Sequence, residues 1–215
     1  IVLVDTKEMR RKRRMKYDAL LSPQLREAID GALAEGRQTI LFRNRRGYAP
    51  VMECRSCGYV PRCAYCDVSL TYHRTQHRLV CHYCGRSQPL PTHCPECDGE
   101  EWRALGYGTE RVEDEISALY PTVRVGRLDT DAVRTPRAYR RVLSDFEQGY
   151  TQLLVGTQML TKGLDFGRVG VVGVLSADSL MSIPDFRAHE RAFQLMMQVS
   201  GRAGRRDRRG TVVIQ

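Results

Sequence analysis

The chain contains eight cysteines, and all of them fall into four Cys-x-x-Cys pairs within a stretch of 44 residues. The pairs are Cys54/Cys57, Cys63/Cys66, Cys81/Cys84 and Cys94/Cys97. A gap of two residues lets both thiolates of a pair bind one metal ion from a single tight turn, so four pairs supply the eight ligands of two closed tetrahedral zinc sites. The spacing therefore predicts two zinc ions.

Two other uses of paired cysteines fit less well. A disulfide framework needs an oxidising compartment, and the sequence shows no secretory signal peptide, although a signal upstream of Ile1 is left open. A redox Cys-x-x-Cys motif would explain one pair and not four. Because a closed site of four thiolates has no open coordination position, we expect the zinc to support structure rather than to catalyse.

The four pairs can combine into two sites in three ways. The nested combination joins Cys63/Cys66 with Cys81/Cys84, and Cys54/Cys57 with Cys94/Cys97. Its inner site encloses a loop of 14 residues, which is close to zinc-ribbon spacing. A sequential combination and a cross-brace stay open.

The charge of the chain indicates an anionic partner. The net charge is +9, and two clusters concentrate it, Lys7–Lys16 and Arg202–Arg209. A basic excess attracts phosphate polymers through counterion release, although a solvated surface without a partner gives the same composition. No apolar run approaches the roughly 20 residues that span a bilayer, so we expect a soluble protein.

The elements that must position these residues alternate between strand and helix. Strands are predicted at 1–4, 39–42, 123–128, 152–155, 169–175 and 211–214, and helices at 23–35, 111–119, 137–147 and 186–199. This alternation favours a parallel sheet covered on both faces. Residues 52–104 break the pattern, so we predict a first lobe segment at 1–51, an inserted cysteine-rich module at 52–104 and a second lobe segment at 105–215. The bare start at Ile1 and the end beside a strand suggest a piece of a longer protein.

Two motifs follow predicted elements and could bind phosphate. Gly156-Thr-Gln-Met-Leu-Thr-Lys-Gly-Leu-Asp-Phe166 follows a buried strand, where ligands meet a parallel sheet. Gln198-Val-Ser-Gly-Arg-Ala-Gly-Arg205 follows a long helix and sets two arginines three residues apart, on one face of a helical turn. Arginine suits phosphate because it is always charged and forks onto two oxygens.

The order of these motifs resembles a known family. The segments LFRNRRGYAP, the four cysteine pairs, GYGTERVEDE, RLDTD, GTQMLTKGLDF, PDFRAHER and QVSGRAGR look like the second RecA-like lobe of the bacterial primosomal replication-restart helicases, within superfamily 2. The resemblance implies an α/β RecA-like lobe with an inserted ribbon-like zinc module. It implies an ATP- and Mg-dependent 3′–5′ DNA helicase, cytoplasmic, that binds forked and single-stranded DNA, other primosome and restart proteins and the single-stranded-DNA-binding protein.

The same resemblance assigns roles to particular residues. Gln198, Arg202 and Arg205 match the motif that reaches the γ-phosphate, with Arg205 the principal finger. Gly163 and Asp165 match the motif that meets the nucleotide sugar, and Thr157 matches a contact to single-stranded DNA. From their place after a strand, we also expect Arg43, Arg45, Arg46 and Tyr48 to bind nucleic acid, although a charged loop has the same composition.

One departure limits the expected activity. The sequence has neither a Gly-x-x-x-x-Gly-Lys-Ser/Thr loop nor an Asp-Glu-x-His box, which hold phosphate and Mg²⁺ in the first helicase lobe. We therefore predict that this chain alone hydrolyses no ATP. The alternative hypothesis is a non-enzymatic zinc-ribbon adaptor for nucleic acid or protein.

Overall fold

The computed structural model describes residues 1–16, 18–45, 51–161, 166–181, 186–204 and 209–215. They form two compact units, the lobe (residues 1–44 and 115–215) and the cysteine-rich unit (residues 45–114). The strands are β1 Val2–Leu3, β2 Gln38–Phe42, β3 Val51–Cys54, β4 Thr71–His73, β5 Arg78–Val80, β6 Ser87–Pro89, β7 Trp102–Leu105, β8 Val125–Leu128, β9 Leu153–Gly156, β10 Val169–Val174 and β11 Thr211–Ile214. The helices are α1 Thr6–Arg11, α2 Pro23–Ala34, α3 Thr109–Leu119, α4 Pro136–Glu147, α5 Asp178–Met181 and α6 Ala188–Ser200, with a 3-10 turn at Gln158–Thr161.

The lobe is built on a six-stranded sheet in the order β1-β11-β10-β2-β9-β8. Every neighbouring pair in it is parallel. Strand β2 lies inside the sheet, and all five of its residues are buried, as expected of a strand covered on both faces. The predicted α/β parallel-sheet fold is therefore confirmed.

Helix α2 begins where the sequence predicts it. The Ser22 hydroxyl accepts a hydrogen bond from the Leu25 amide at 3.3 Å, and Pro23 occupies the first helical position, where its missing N–H costs nothing. Leu25, Ile29 and Ala32 face inward at helical spacing, and α2 packs on β10 and β2. Thr135 and Pro136 repeat the same start at α4, where Phe146 supplies the buried side chain.

The cysteine-rich unit contains two small antiparallel sheets. Strands β3 and β7 pair with each other, and β4, β5 and β6 form a three-stranded meander. Its buried apolar cluster is small and includes ligand cysteines: Met52, Cys63, Leu70, Leu79 and Cys81. A cluster of this size stabilises little on its own, so metal binding must contribute a large share of the folding free energy.

Among the helices that the structure describes, none is both long and apolar enough to cross a membrane. The longest, α6, has 13 residues, which is shorter than a bilayer requires.

Candidate functional site

The eight cysteines form two groups of four. In one group the sulfur atoms of Cys54, Cys57, Cys94 and Cys97 all lie within 4.8 Å of one another, and in the other the sulfur atoms of Cys63, Cys66, Cys81 and Cys84 do so. All eight are free thiols. This is the nested combination, which the sequence favours over the sequential and cross-braced ones.

The sulfur distances fit a metal rather than a disulfide. Sγ–Sγ separations are 3.7 Å for Cys54–Cys97, 3.6 Å for Cys57–Cys94 and 3.7 Å for Cys63–Cys84. Zinc–sulfur bonds of about 2.3 Å in a tetrahedron set sulfur atoms about 3.8 Å apart, whereas a disulfide needs about 2.05 Å. The donor set of four soft sulfurs and the geometry therefore both fit one zinc ion in each group.

The four cysteine pairs share one backbone conformation. In each pair the carbonyl of the first cysteine accepts a hydrogen bond from the amide four residues later, at 2.8–3.0 Å: Gly58 to Cys54, Asp67 to Cys63, Gly85 to Cys81 and Asp98 to Cys94. The four donors are also the residues with φ of +79°, +49°, +75° and +60°. The left-handed conformation suits glycine and, less well, aspartate. The residue after each pair, Gly or Asp, is thus a sequence signal for this turn that the cysteine spacing alone does not reveal.

Replacing Gly85 with alanine tests this turn, because a Cβ there meets nothing within 4 Å and only the φ of +75° opposes it. We expect Gly85→Ala to destabilise the cysteine-rich unit by about 1 kcal/mol. The matched control is Gly31→Ala inside α2, where a Cβ also meets nothing and the gain in helix propensity should stabilise by about 1 kcal/mol.

Trp102, the single tryptophan, reports on the cysteine-rich unit, and circular dichroism reports on α2. A lower unfolding midpoint for Gly85→Ala and a higher one for Gly31→Ala are expected. Equal behaviour of the two variants would contradict a left-handed turn at Gly85.

The thiols in each group are not equivalent before metal binds. Hydrogen bonding from the Cys57 backbone amide lowers the pKa of Cys54 to about 6, and the Tyr65 amide similarly lowers the pKa of Cys63 to about 7. Hydrogen bonding with Cys84 and burial raise the pKa of Cys66 to about 12. Cys54 and Cys63 are thus the thiols that lose a proton more readily than usual, whereas a metal that binds Cys66 must displace its proton.

In the lobe, motif residues follow three adjacent strands at the carboxyl edge of the sheet. Phe42, Gly156 and Leu128 pair across β2, β9 and β8, so Arg43, Thr157 and Asp129 come next at one level. A Cβ on Gly156 would lie 2.8 Å from the Leu128 carbonyl oxygen and 2.9 Å from Leu160, which explains the glycine that opens the motif.

The side chains at this edge are largely buried. Thr157 is 6% exposed and Arg43 is 4% exposed. The Arg43 guanidinium donates to the Ser179 hydroxyl at 2.7 Å, which ties β2 to α5. Asp129 accepts from the amides of Asp131 and Ala132 at 2.9 and 2.8 Å and lies 3.3 Å from Arg127. The nucleic-acid roles of Arg43 and Thr157 stay predictions.

Arg202 joins the two motifs. Helix α6 ends at Ser200, and residues 201–204 form a turn rather than continuing the helix. From this turn, the half-buried Arg202 donates to the Thr161 carbonyl at 2.6 Å. The sequence does not predict this bond, which connects the loop after β9 with the end of α6. Gln198 lies on the exposed side of α6.

Several predicted site residues lie outside the described residues. These are Arg46, Tyr48, Gly163, Asp165 and Arg205. Arg45 is described and exposed, and its carbonyl accepts from the Thr109 amide at 3.0 Å.

Two models of known protein families match this chain. Residues 107–207 match the helicase conserved C-terminal domain, and residues 63–89 match the PriA DNA helicase Cys-rich region domain. With the parallel sheet and the two four-cysteine groups, these matches define an α/β RecA-like helicase lobe that carries a zinc ribbon.

The particular family follows from its relatives. The chain is 49% identical to the replication restart protein PriA of Bacillus subtilis over 97% of its own length and 26% of that protein. The replication restart proteins PriA of Synechocystis and Treponema pallidum are each 44% identical to this chain. The match with the Synechocystis protein covers 97% of this chain and 26% of the relative, and the match with the Treponema pallidum protein covers 93% and 30%. The chain belongs to the PriA family and spans about a quarter of the length of the relatives it matches.

Among solved structures, yeast Dbp5 bound to RNA and ADP BeF3 gives a TM-score of 0.42 at 13% identity. The match covers 89% of this chain and 31% of that chain, and the likeness is too low to bear on function.

Proposed function

We propose that this chain is the second motor lobe and zinc module of an ATP-dependent DNA helicase that acts in replication restart and primosome assembly at stalled forks. The observation that carries the proposal is the pair of helicase motifs held together by the Arg202–Thr161 bond at the end of a parallel sheet. The relatives named replication restart protein PriA support the biological role.

In this proposal the motif residues have different roles. Gln198 and Arg205 act on the γ-phosphate, and Gly163 and Asp165 contact the nucleotide sugar. Arg202 precedes Arg205 in the same motif, but its guanidinium already donates to the Thr161 carbonyl, so we assign it mainly to holding the end of the 3-10 turn Gln158–Thr161. Bound ATP and Mg²⁺ supply the phosphoryl chemistry, and this lobe supplies arginine charge as that chemistry proceeds.

Other predicted residues contact nucleic acid in this proposal. We assign Thr157 to single-stranded DNA, and Arg45, Arg46 and Tyr48, which follow β2 in the sequence, to further contacts with nucleic acid. Arg43 comes before them in the sequence, and its guanidinium donates to the Ser179 hydroxyl. Translocation is proposed to run 3′ to 5′ on forked and single-stranded DNA.

The zinc module of the proposal spans residues 52–104 and contains two zinc ions. The outer site joins Cys54, at the end of β3, with Cys94 and Cys97, which precede β7. It therefore holds the two ends of the module together. The inner site fixes the β4-β5-β6 meander through Cys63 and Cys81. Other primosome proteins and the single-stranded-DNA-binding protein are the proposed partners.

A zinc-ribbon adaptor without enzymatic activity is the second candidate, and one observation favours it. Tyr65 and Tyr83 occupy the same position in the two inner cysteine pairs and are 77% and 82% exposed. The Arg86 guanidinium lies 4.6 Å from the Tyr65 ring centre. Exposed aromatic rings beside arginine are typical of binding surfaces.

ATP hydrolysis separates the two candidates. We expect no DNA-stimulated hydrolysis by this chain alone, because a nucleotide between two lobes needs the phosphate-binding loop of the first. A full-length PriA protein containing this segment should hydrolyse ATP when single-stranded DNA is added. Zinc content and circular dichroism show that the separate chain is folded. Hydrolysis by the isolated chain would contradict the proposal, and an inactive full-length protein would favour the adaptor.

A further inference from the structure

A cluster of cations begins at the last residue of α1 and takes part in neither helicase motif. The basic loop, residues Arg11–Lys16, contains five cations in six positions: Arg11, Lys12, Arg13, Arg14 and Lys16. All five side chains are exposed, whereas Met15 is 7% exposed. The one apolar residue therefore anchors the loop to the lobe and the cations point outward.

The backbone of the basic loop is fixed. The amides of Lys12, Arg13 and Arg14 donate to the carbonyls of Glu8, Arg10 and Met9 at 2.8, 3.0 and 2.8 Å. Arg13 has a φ of +55°, which a non-glycine residue adopts only where its surroundings hold it. Arg10 closes the loop from inside by donating to the Ala19 carbonyl at 3.1 Å. Cations on a fixed backbone lose less entropy on binding than those on a loose tail.

Nearby carboxylates balance little of this charge. Glu8 is shared by Lys12 at 2.6 Å and Arg11 at 4.0 Å, so one anion serves two cations. Lys7 on α1 pairs with Asp178 at 2.9 Å, and both side chains are more than half exposed. Exposed pairs of this kind contribute little to stability, because solvent and salt screen them.

The strand that precedes α1 relates the basic loop to the helicase motifs. Helix α1 follows β1 directly, so it leaves the same carboxyl edge at which Thr157 follows β9. The Lys7–Asp178 pair joins α1 to α5, which also follows this edge after β10. Strands β11, β10 and β2 separate β1 from β9, a distance of about 19 Å at 4.8 Å per strand. One nucleic-acid strand of about six phosphates covers that distance.

We propose that the basic loop Arg11–Lys16 binds the phosphate backbone of DNA, as a site additional to the helicase motifs. It recognises charge and spacing rather than bases, because it presents arginine and lysine heads and no aromatic ring. The site rests on the proposed function only in that Thr157 marks where the same DNA passes.

The experiment measures DNA binding by a full-length PriA protein that carries this segment, without nucleotide, over a range of salt concentrations. The variant is Arg14→Gln with Lys16→Gln, which spares the left-handed Arg13 and the Glu8 pairs. The matched control is Arg124→Gln with Arg168→Gln, two exposed arginines that precede β8 and β10 at the opposite edge of the sheet. Both variants remove the same charge.

The variant is expected to weaken binding by about ten-fold at 0.1 M salt and to reduce the slope of log K against log salt by about 1.8 on duplex or about 1.4 on single strands. The control should leave the slope unchanged. An unchanged slope in the variant, an equal loss in the control, or polyglutamate competing as well as DNA at equal charge would each overturn the proposal; the last would point to an acidic protein instead. Because no ATP is added, failure here is distinct from failure of the motor assignment.

Discussion

Replacing Cys54 and Cys97 together with serine is expected to remove one zinc ion and leave the other, whereas replacing Cys54 and Cys81 is expected to remove both. Nesting requires this result, because Cys54 and Cys97 share the outer group and Cys81 belongs to the inner one. A serine oxygen does not replace a thiolate at zinc, and one lost ligand opens a tetrahedral site. Zinc content per chain, measured after desalting, gives the count directly.

The alternative combinations give opposite counts. In a sequential arrangement the Cys54/Cys97 variant would lose both ions, and in a cross-brace the Cys54/Cys81 variant would keep one. Thr92→Ala, at an exposed position in the same unit, is the control and should keep two.

The loss of zinc should also unfold part of the unit. Structural zinc in small peptides is worth about 10–16 kcal/mol at neutral pH, more than the cluster around Leu79 can replace. Trp102 pairs in register with Cys54, and its ring lies 6.4 Å from that of Tyr59. Its fluorescence should therefore shift when the outer zinc is lost.

Zinc should be easier to remove as the pH falls, because protons compete with the metal for the thiolates.

Replacing Arg205 with alanine in a full-length PriA protein is expected to lower kcat for DNA-stimulated ATP hydrolysis by about 10³–10⁵-fold, as for other arginine fingers. DNA binding should be largely intact, because we propose that this side chain acts on the γ-phosphate and not on DNA. The preceding turn is held in place: the Gly204 amide donates to the Val169 carbonyl of β10 at 3.0 Å.

Arg124→Ala removes an exposed arginine at the opposite edge of the sheet and should keep normal kcat. Equal losses of hydrolysis and DNA binding in Arg205→Ala would indicate a structural role instead. The two measurements are made on the same preparation, with zinc content as the check on folding.

Much of the lobe is predictable from its sequence because local chemistry agrees with the final fold. Ser22-Pro23 and Thr135-Pro136 define two helix starts without reference to any other part of the chain. The largely apolar runs at β2 and β10 indicate strands buried on both faces. The order of the strands in the sheet is not predictable in this way, because it depends on how the helices between the strands pack. No residue pattern within β1 predicts its pairing with β11.

In the candidate site, too, local features are predictable from the sequence and long-range contacts are not. The 14-residue loop between the inner pairs favours nesting because it is close to zinc-ribbon spacing. The Gly or Asp after each pair is a further local signal for the turn that holds the thiolates. The bond from Arg202 to Thr161 is not predictable, because it depends on residues 41 positions apart meeting across the fold. The buried position of Arg43 is hidden for the same reason, since its partner Ser179 lies on another element.

Zinc X-ray absorption on freshly purified full-length PriA protein tests the central claim most directly, namely that eight thiolates hold two ions in closed tetrahedral sites. We expect two zinc ions per chain, each with four sulfur neighbours at about 2.3 Å and no nitrogen or oxygen bound to the metal. Fewer than one ion per chain, or a coordination sphere that mixes sulfur with nitrogen or oxygen, would contradict it.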